Sequence, residues 1–300
     1  ARTVYQGHLF VGDVLLSDSG MRNHPLTPMT DANLVRVLQA QVGARVGLVP
    51  HAVVRRGAAA IRERIALLRA EGWRFGIVDA VADADLLELG TAIADAPLVV
   101  AGSGVAIGLP RNHGLAPSAA AASLPAARGA AAVVSGSCSV ATNQQVAAFL
   151  AAGLPAWRID PARIAAGDDV VAEALAWATS QLGDRPVLVY SSAPPDAVKA
   201  VQEQLGVTRA GTLVEDALAA IARGLVERGV GRLVVAGGET SGAAVQALGV
   251  QQMRIGPQID PGVPWCHATA TTCGTDLHLA LKSGNFGGPD FFRTAFDRLA

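Results

Sequence analysis

Three short runs in the second half of the chain combine glycine with side-chain hydroxyls: "SGSCS" at 135–139, "GGETSG" at 237–242 and "KSGNFGG" at 282–288. Each follows an apolar run of strand character. Glycine lets backbone N–H groups approach a ligand closely, and the N-terminus of a following helix adds roughly half a positive charge. Turns of this composition therefore suit phosphate oxygens. Glycine after a strand is also the ordinary way to close a tight βα turn with nothing bound. Three such turns in one half of the chain point to a nucleotide or phosphate site, because loops from several strands meet at the carboxyl end of a parallel sheet.

Individual residues in these turns have two readings each. Lys282 sits at a strand end beside glycines, where a cation neutralises phosphate charge or simply stands in solvent at a strand edge. Glu239 is the one acid inside the turns; it binds a metal directly or through water, or caps the helix that follows. In the first half, Arg22, His24 and Asp31 share a polar loop of the kind that recognises an anionic substrate, although loops carry such residues routinely. "GSGVAIG", with Gly102, Ser103, Gly104 and Gly108, is a second candidate ligand loop. Its spacing is not the dinucleotide fingerprint, and no G-x-x-x-x-G-K-[ST] occurs, so a standard Rossmann dehydrogenase or Walker ATPase is disfavoured. His8, His51, His113, His267 and His278 show no ligand spacing and read as structural or surface residues. Cys138, Cys266 and Cys273 lack paired spacing, so no metal site or disulfide framework is implied.

The elements that must position these residues are read from periodicity. Apolar runs such as "RFGIVDA", "AAVVSGS", "PVLVYSS" and "RLVVAGG" alternate with helical patterns, the signature of an α/β fold with mainly parallel sheets flanked by helices. Three hundred residues, 51% of them hydrophobic, suffice for two such domains. The first reads as residues 1–113: a strand-like opening, a helix "ANLVRVLQAQ" capped by Thr30 or Asp31, then a β-α-β unit and a strand "PLVVAGSG". "GLAPSAAAASLPAARGA", residues 114–130, reads as a linker that would permit closure of the domains, and residues 131–300 as the second domain, including a helix "PDAVKAVQEQLG". A net charge of −1 offers no basic surface for nucleic acid or anionic lipid. No apolar run approaches the roughly 20 residues that span a bilayer, and the expectation is a cytoplasmic protein acting on small molecules. The chain opens without an initiator Met, which reads as something upstream having been removed.

Longer segments carry a resemblance. "RTVYQGHLFVGDVLLSDSGMRNHPLTPMTDANL", "VVAGSGVAIGL", "VVSGSCSVATNQQV", "VVAGGETSG", "IGPQIDPGVPW" and "LALKSGNFGGPDFF", in this order, resemble the four-carbon acid sugar kinase family on its 3-oxo-tetronate branch. The resemblance implies an ATP-dependent kinase that phosphorylates the 4-hydroxyl of 3-dehydro-erythronate or 3-dehydro-threonate. It implies two α/β domains, the carboxyl-terminal one binding ATP, with Mg²⁺ as the companion ion of phosphoryl transfer. Carried over by motif, the nucleotide contacts are Ser135 or Ser137, then Gly237, Gly238, Glu239, Thr240 and Gly284; beside the resemblance, Ser241 belongs to the same turn and Lys282 is a candidate for neutralising charge at the nucleotide. Arg22, His24, Gly102, Ser103 and Gly104 are the substrate-side candidates; no catalytic residue is named. The family's Asp-Asp-Phe-Thr-Gly motif is absent, so the first domain reads as lacking its amino-terminal part, where the base would lie. "WCHATATTCGTDLHLALK" reads as longer than the family's usual connection. Two other readings stay open: a nucleotide-binding fragment without turnover, and an NAD(P)-dependent oxidoreductase using the Gly102–Gly108 loop. A homodimer is a further expectation.

Overall fold

The opening "RTVYQGHLFV" does not run as one strand but folds back on itself. β1 (Arg2–Tyr5) and β2 (His8–Val11) pair antiparallel around Gln6 and Gly7, whose φ values are 50° and 72°. Positive φ at both central residues is the hairpin turn that matches the natural strand twist, and Gly7 adopts it without steric cost. β3 (Val14–Leu15) adds a short third strand. The computed structural model describes residues 2–23, 27–193, 203 and 206–299, in two units, Ala1–Pro117 and Ser118–Ala300.

The rest of the first unit is the β-α-β expected from periodicity. β4 (Val46–Val49) and β5 (Phe75–Val78) are parallel, connected through α1's successors α2 (His51–Val54) and α3 (Ala58–Ala70), with α1 (Leu34–Gln39) before them and α4 (Asp83–Ala92) after. Val49, Val54, Ile61 and Leu68 form its buried core. Asp79, fully buried at the end of β5, accepts N–H bonds from Gln6 (2.7 Å), Gly7 (2.9 Å) and His51 (2.9 Å), tying the hairpin turn to α2.

Two local expectations for this unit are corrected. The cap of α1 is Asn33, whose side chain accepts from the Arg36 N–H at 3.0 Å; Asp31 accepts from the Asn33 N–H and pairs with the Arg36 guanidinium at 2.7 Å. "PLVVAGSG" forms no strand. Leu98 is 79% and Val100 91% exposed, and no strand among the described residues lies beside them to complete a hydrogen-bond ladder.

The second unit holds one seven-stranded sheet: β6 (Ala130–Ser135), β7 (Ala156–Arg158), β8 (Val187–Tyr190), β9 (Val230–Ala236), β10 (Met253–Asp260), β11 (Val263–Ala270) and β12 (Thr275–Lys282). Their order is β10-β11-β12-β9-β6-β8-β7. The five strands from β12 to β7 are parallel, while β10 and β11 extend one side as an antiparallel hairpin. α5 (Val140–Ala151), α6 (Pro161–Ala166), α7 (Val170–Gln181), α8 (Val207–Glu227), α9 (Gly238–Ala247) and α10 (Phe291–Thr294) follow the strands.

Both faces of this sheet are covered, which is why residues 130–134 of β6 and 233–236 of β9 read as unbroken apolar runs. Val134, Leu233 and Leu279 pack with Ala174, Leu218, Leu225 and Ala244 on one face. Val133, Val234 and Ala280 pack with Phe149, Trp265 and Phe292 on the other. Burying one such aromatic contributes about 2–3 kcal/mol. Leu124, in the Ala/Pro-rich segment, packs against this second cluster. The helix expected over "PDAVKAVQEQLG" falls almost wholly outside the described residues. No helix among the described residues is long and apolar enough to cross a membrane.

Candidate nucleotide site

β12, β9 and β6 are neighbours, so the three glycine-hydroxyl turns that follow them emerge side by side at the carboxyl edge of the sheet. The backbone stitches them together. The Gly136 and Ser137 N–H groups donate to the Ala236 carbonyl at 3.0 and 3.2 Å, and the Gly237 N–H donates to the Lys282 carbonyl at 2.8 Å. Gly237, at φ 127°, lets β9 turn directly into α9. A Cβ at Gly136 would overlap Thr240 Oγ1, and one at Gly284 would overlap Ser137 Oγ. These glycines are required by close approach between the turns, not by a bound ligand.

Lys282 is fully buried. Its ammonium lies within 3.2 Å of Thr142 Oγ1 and of the Ser283, Gly284 and Phe286 carbonyls. The Gly284 carbonyl also accepts from Ser139 Oγ (2.6 Å) and Thr142 Oγ1 (2.9 Å). Gln145 Nε2 donates to the Phe286, Gly287 and Gly288 carbonyls at 3.0–3.1 Å. A peptide plane carries its N–H opposite its C=O, so carbonyls drawn inward turn the N–H groups that follow them outward. Lys282 and α5 thus shape the 283–288 loop from beneath. Burial holds the Lys282 ammonium down to a pKa of about 8.

Two helices of more than two turns begin here, α5 capped by Ser139, which accepts from the Thr142 N–H at 3.2 Å, and α9 at Gly237. Their amino termini supply partial positive charge without a basic side chain. Ser135 Oγ pairs with Ser192 Oγ at 2.8 Å, fully buried, so β8 joins the same edge. Ser241 Oγ is buried with no hydrogen-bond partner. Glu239 is exposed in the first turn of α9, and on α8 burial, followed by repulsion from Glu239 and Asp216, raises the Glu215 carboxyl. Burial likewise raises the Cys138 thiol, with the Ala193 backbone working against it, so this cysteine stays protonated.

Comparison with known proteins places the chain in a family. A family model described as a nucleotide-binding C-terminal domain matches residues 132–292, and one described as a sugar-binding N-terminal domain matches residues 1–109. Proteins named 3-oxo-tetronate kinase from Pseudomonas fluorescens and Burkholderia multivorans are 57% and 59% identical over 302 residues, covering 100% and 99% of this chain and 69% of each relative. The chain belongs to the four-carbon acid sugar kinase family. A solved structure described as a putative tRNA synthase from Salmonella typhimurium LT2 has a TM-score of 0.77 at 41% identity, covering 99% of this chain and 70% of that one.

With the family in hand, the placement of each candidate residue is plain. Ser135, Ser137, Gly237, Gly238, Glu239, Thr240, Ser241, Lys282 and Gly284 all lie at one edge of one sheet. Lys282 stands under the loop instead of in solvent. Ser139, Thr142, Gln145, Ser192 and Glu215 were missed by the sequence reading; the first three sit three residues apart in "SVATNQQ", one face of a helix beginning at the cap. Arg22, exposed in a 3-10 turn (Gly20–Asn23), and Gly102, Ser103 and Gly104 belong to the other unit, and no hydrogen bond joins these two groups among the described residues. His24 lies outside the described residues. The oxidoreductase reading is corrected. No strand leads directly into "GSGVAIG", which runs through a 3-10 turn (Ser103–Ile107), and Gly108 packs its backbone against Gly90 of α4, so that glycine serves packing.

Proposed function

We propose that this chain transfers the γ-phosphoryl group of ATP to the 4-hydroxyl of a 3-oxo-tetronate, the second unit holding the nucleotide and the first the acid sugar. The observation that carries the reading is the convergence of three glycine-hydroxyl turns and two helix amino termini on one sheet edge. Phosphoryl transfer needs positioning and charge neutralisation more than covalent chemistry, and those are what this edge offers. The Gly237–Ser241 turn takes the phosphate oxygens on backbone N–H groups at the start of α9. Ser137 and the 284–287 backbone close the other side, held in shape by Lys282 and Gln145.

Glu239 and Glu215 fit a magnesium ion held mainly by the phosphates: one carboxylate is exposed in the first turn of α9, and the other feels its charge. Such an ion neutralises the phosphate charge that the helix termini leave uncompensated. On the sugar side, Arg22 is assigned to the carboxylate, and the Gly102–Gly104 backbone to the hydroxyls.

The test is ADP release at fixed MgATP across four-carbon acids, with their 3-oxo forms included. Turnover restricted to 3-oxo-tetronates is the expected result. Nucleotide binding without turnover on any of them would leave a binding protein and refute the kinase assignment for this chain.

A further inference from the structure

The 283–288 loop crosses the nucleotide edge. At one end Gly284 lies against Ser137 and Ser139, so closely that a Cβ there would overlap Ser137 Oγ. At the other, the ring of Phe286 lies on Gly262, in the turn between β10 and β11. A Cβ on Gly262 would stand 2.7 Å from the ring's Cε1 and 3.1 Å from its Cδ1, so the missing side chain is what leaves room for the ring. β11 runs antiparallel to β12, and this turn therefore rises at the same edge where β12 and β9 end.

Phe286 is 41% exposed and is the one exposed aromatic of the second unit among the described residues. Single exposed apolar side chains are ordinary on a protein surface. This one differs in how firmly its backbone is held. The Phe286 N–H donates to the Ser283 carbonyl at 3.1 Å, and the Phe286 carbonyl accepts from the Lys282 ammonium at 3.1 Å and from Gln145 Nε2 at 3.0 Å. Both of those donors belong to fully buried residues. Two residues on, the Gly288 N–H donates to Asp260 Oδ2 at 3.0 Å, tying the loop to the last residue of β10. A ring fixed through its backbone and along one edge, and exposed elsewhere, is a preorganised apolar surface.

Flat ring systems stack on an exposed aromatic face. A nucleotide carries such a ring system at the end opposite its γ-phosphate. Strands stand about 4.8 Å apart, and β11, β12 and β9 are successive, so the Gly262 and Gly237 turns are separated by about 10 Å across the edge. A ribose and its first phosphate fill that interval. We propose that Phe286 is the platform on which the nucleobase of ATP stacks, the phosphate chain running over the loop to the Gly237–Ser241 turn. The proposal rests on the reading of this edge as a nucleotide site and adds to it the residue that receives the base. Every base presents a π face, so a phenyl platform separates nucleotides from bare polyphosphate and separates adenine from guanine weakly.

The experiment is calorimetric titration of the full chain and of Phe286→Ala with three magnesium complexes: a non-hydrolysable ATP analogue, its GTP counterpart and tripolyphosphate. The variant is expected to bind both nucleotide analogues about tenfold more weakly and tripolyphosphate as before, with an unchanged melting curve. Phe286→Tyr keeps the π face and should restore the affinity. A second measurement needs no variant: the Phe286 ring protons should shift in the NMR spectrum with the ATP analogue and stay in place with tripolyphosphate. If Phe286→Ala weakens tripolyphosphate as much as the nucleotides, the residue merely shapes the phosphate loop, and the platform is overturned while the phosphate site stands. Unaltered affinity for all three ligands, or ring protons unmoved by the analogue, overturns it as well. Binding of none of the three by the unaltered chain would instead remove the nucleotide edge itself, and the platform with it.

Discussion

Gly284 marks where a single atom decides the nucleotide edge. A Cβ there would overlap Ser137 Oγ and crowd Ser139, the two hydroxyls that flank the entrance to α5. Gly284→Ala must therefore push the 283–288 loop away from the 136–139 turn. Overpacking of this kind costs about 1–3 kcal/mol. Nucleotide affinity measured by calorimetry should fall about tenfold or more, and an unchanged affinity would place the phosphates elsewhere. Lys282 makes a second case, with a pH signature. Its folded pKa of about 8 lies below the ordinary 10.5, so between these values the unfolded chain binds more protons than the folded one. The native state then gains stability as pH rises from 8 towards 10.5, by about 1.4 kcal/mol per unit, while below pH 8 the full cost of burying the charge remains. Lys282→Met abolishes that gain and takes one donor from each of four oxygens, so urea denaturation of both proteins from pH 7 to 10 should show a difference that changes above pH 8. A constant difference would mean that the folded ammonium keeps its ordinary pKa and stays charged across this range. The nucleotide affinity of the variant at pH 7 should drop about tenfold, because the loop carbonyls lose what draws them inward.

Among the elements, the hairpin at the start of the chain rests on one carboxylate. Asp79 accepts three backbone N–H groups, two from the β1–β2 turn and one from the first residue of α2. Asp79→Asn turns an amide N–H₂ towards N–H donors and removes the charge that strengthens the remaining bonds, a loss of about 2–3 kcal/mol. Urea titration followed at Trp73, the tryptophan of the first unit, should show its midpoint lowered; an unaltered midpoint would mean that the turn holds itself. The sequence made parts of this level plain and hid others. The β-α-β order and the three turns at strand ends were legible because apolar period and glycine placement are local signals. That the turns would meet follows from β12, β9 and β6 being neighbours, which no local pattern states. The hairpin escaped because its turn uses Gln6 at positive φ, where Asn or Asp is the usual sign. "PLVVAGSG" has strand composition, but a strand also needs a neighbour, and Leu98 and Val100 stand exposed. The burial of Lys282 was half legible in "TDLHLALK": strict alternation sets Asp276, His278, Ala280 and Lys282 on one face, and only the helices packed over that face make it interior.

For the molecule as a whole, the division of labour between two units is the property that a ligand can test. The second unit has its own core on both faces of its sheet, and the first has a separate, smaller one. A ligand that binds only folded protein adds RT ln(1 + [L]/Kd), about 2.7 kcal/mol at a hundredfold excess over Kd. That stabilisation should raise the melting temperature with MgATP, but melting alone does not say where the nucleotide sits. Hydrogen exchange does, because local openings report on the segments that touch the ligand. Residues 136–141, 237–241 and 283–288 should gain protection with MgATP, through direct bonding of outward N–H groups and through damping of the loop held by Lys282. A 3-oxo-tetronate should instead protect 20–23 and 102–108, where Arg22 and the "GSGVAIG" glycines lie. Protection of 102–108 by the nucleotide, with the three turns of the second unit left unchanged, would move the phosphate site into the first unit and undo the assignment of both.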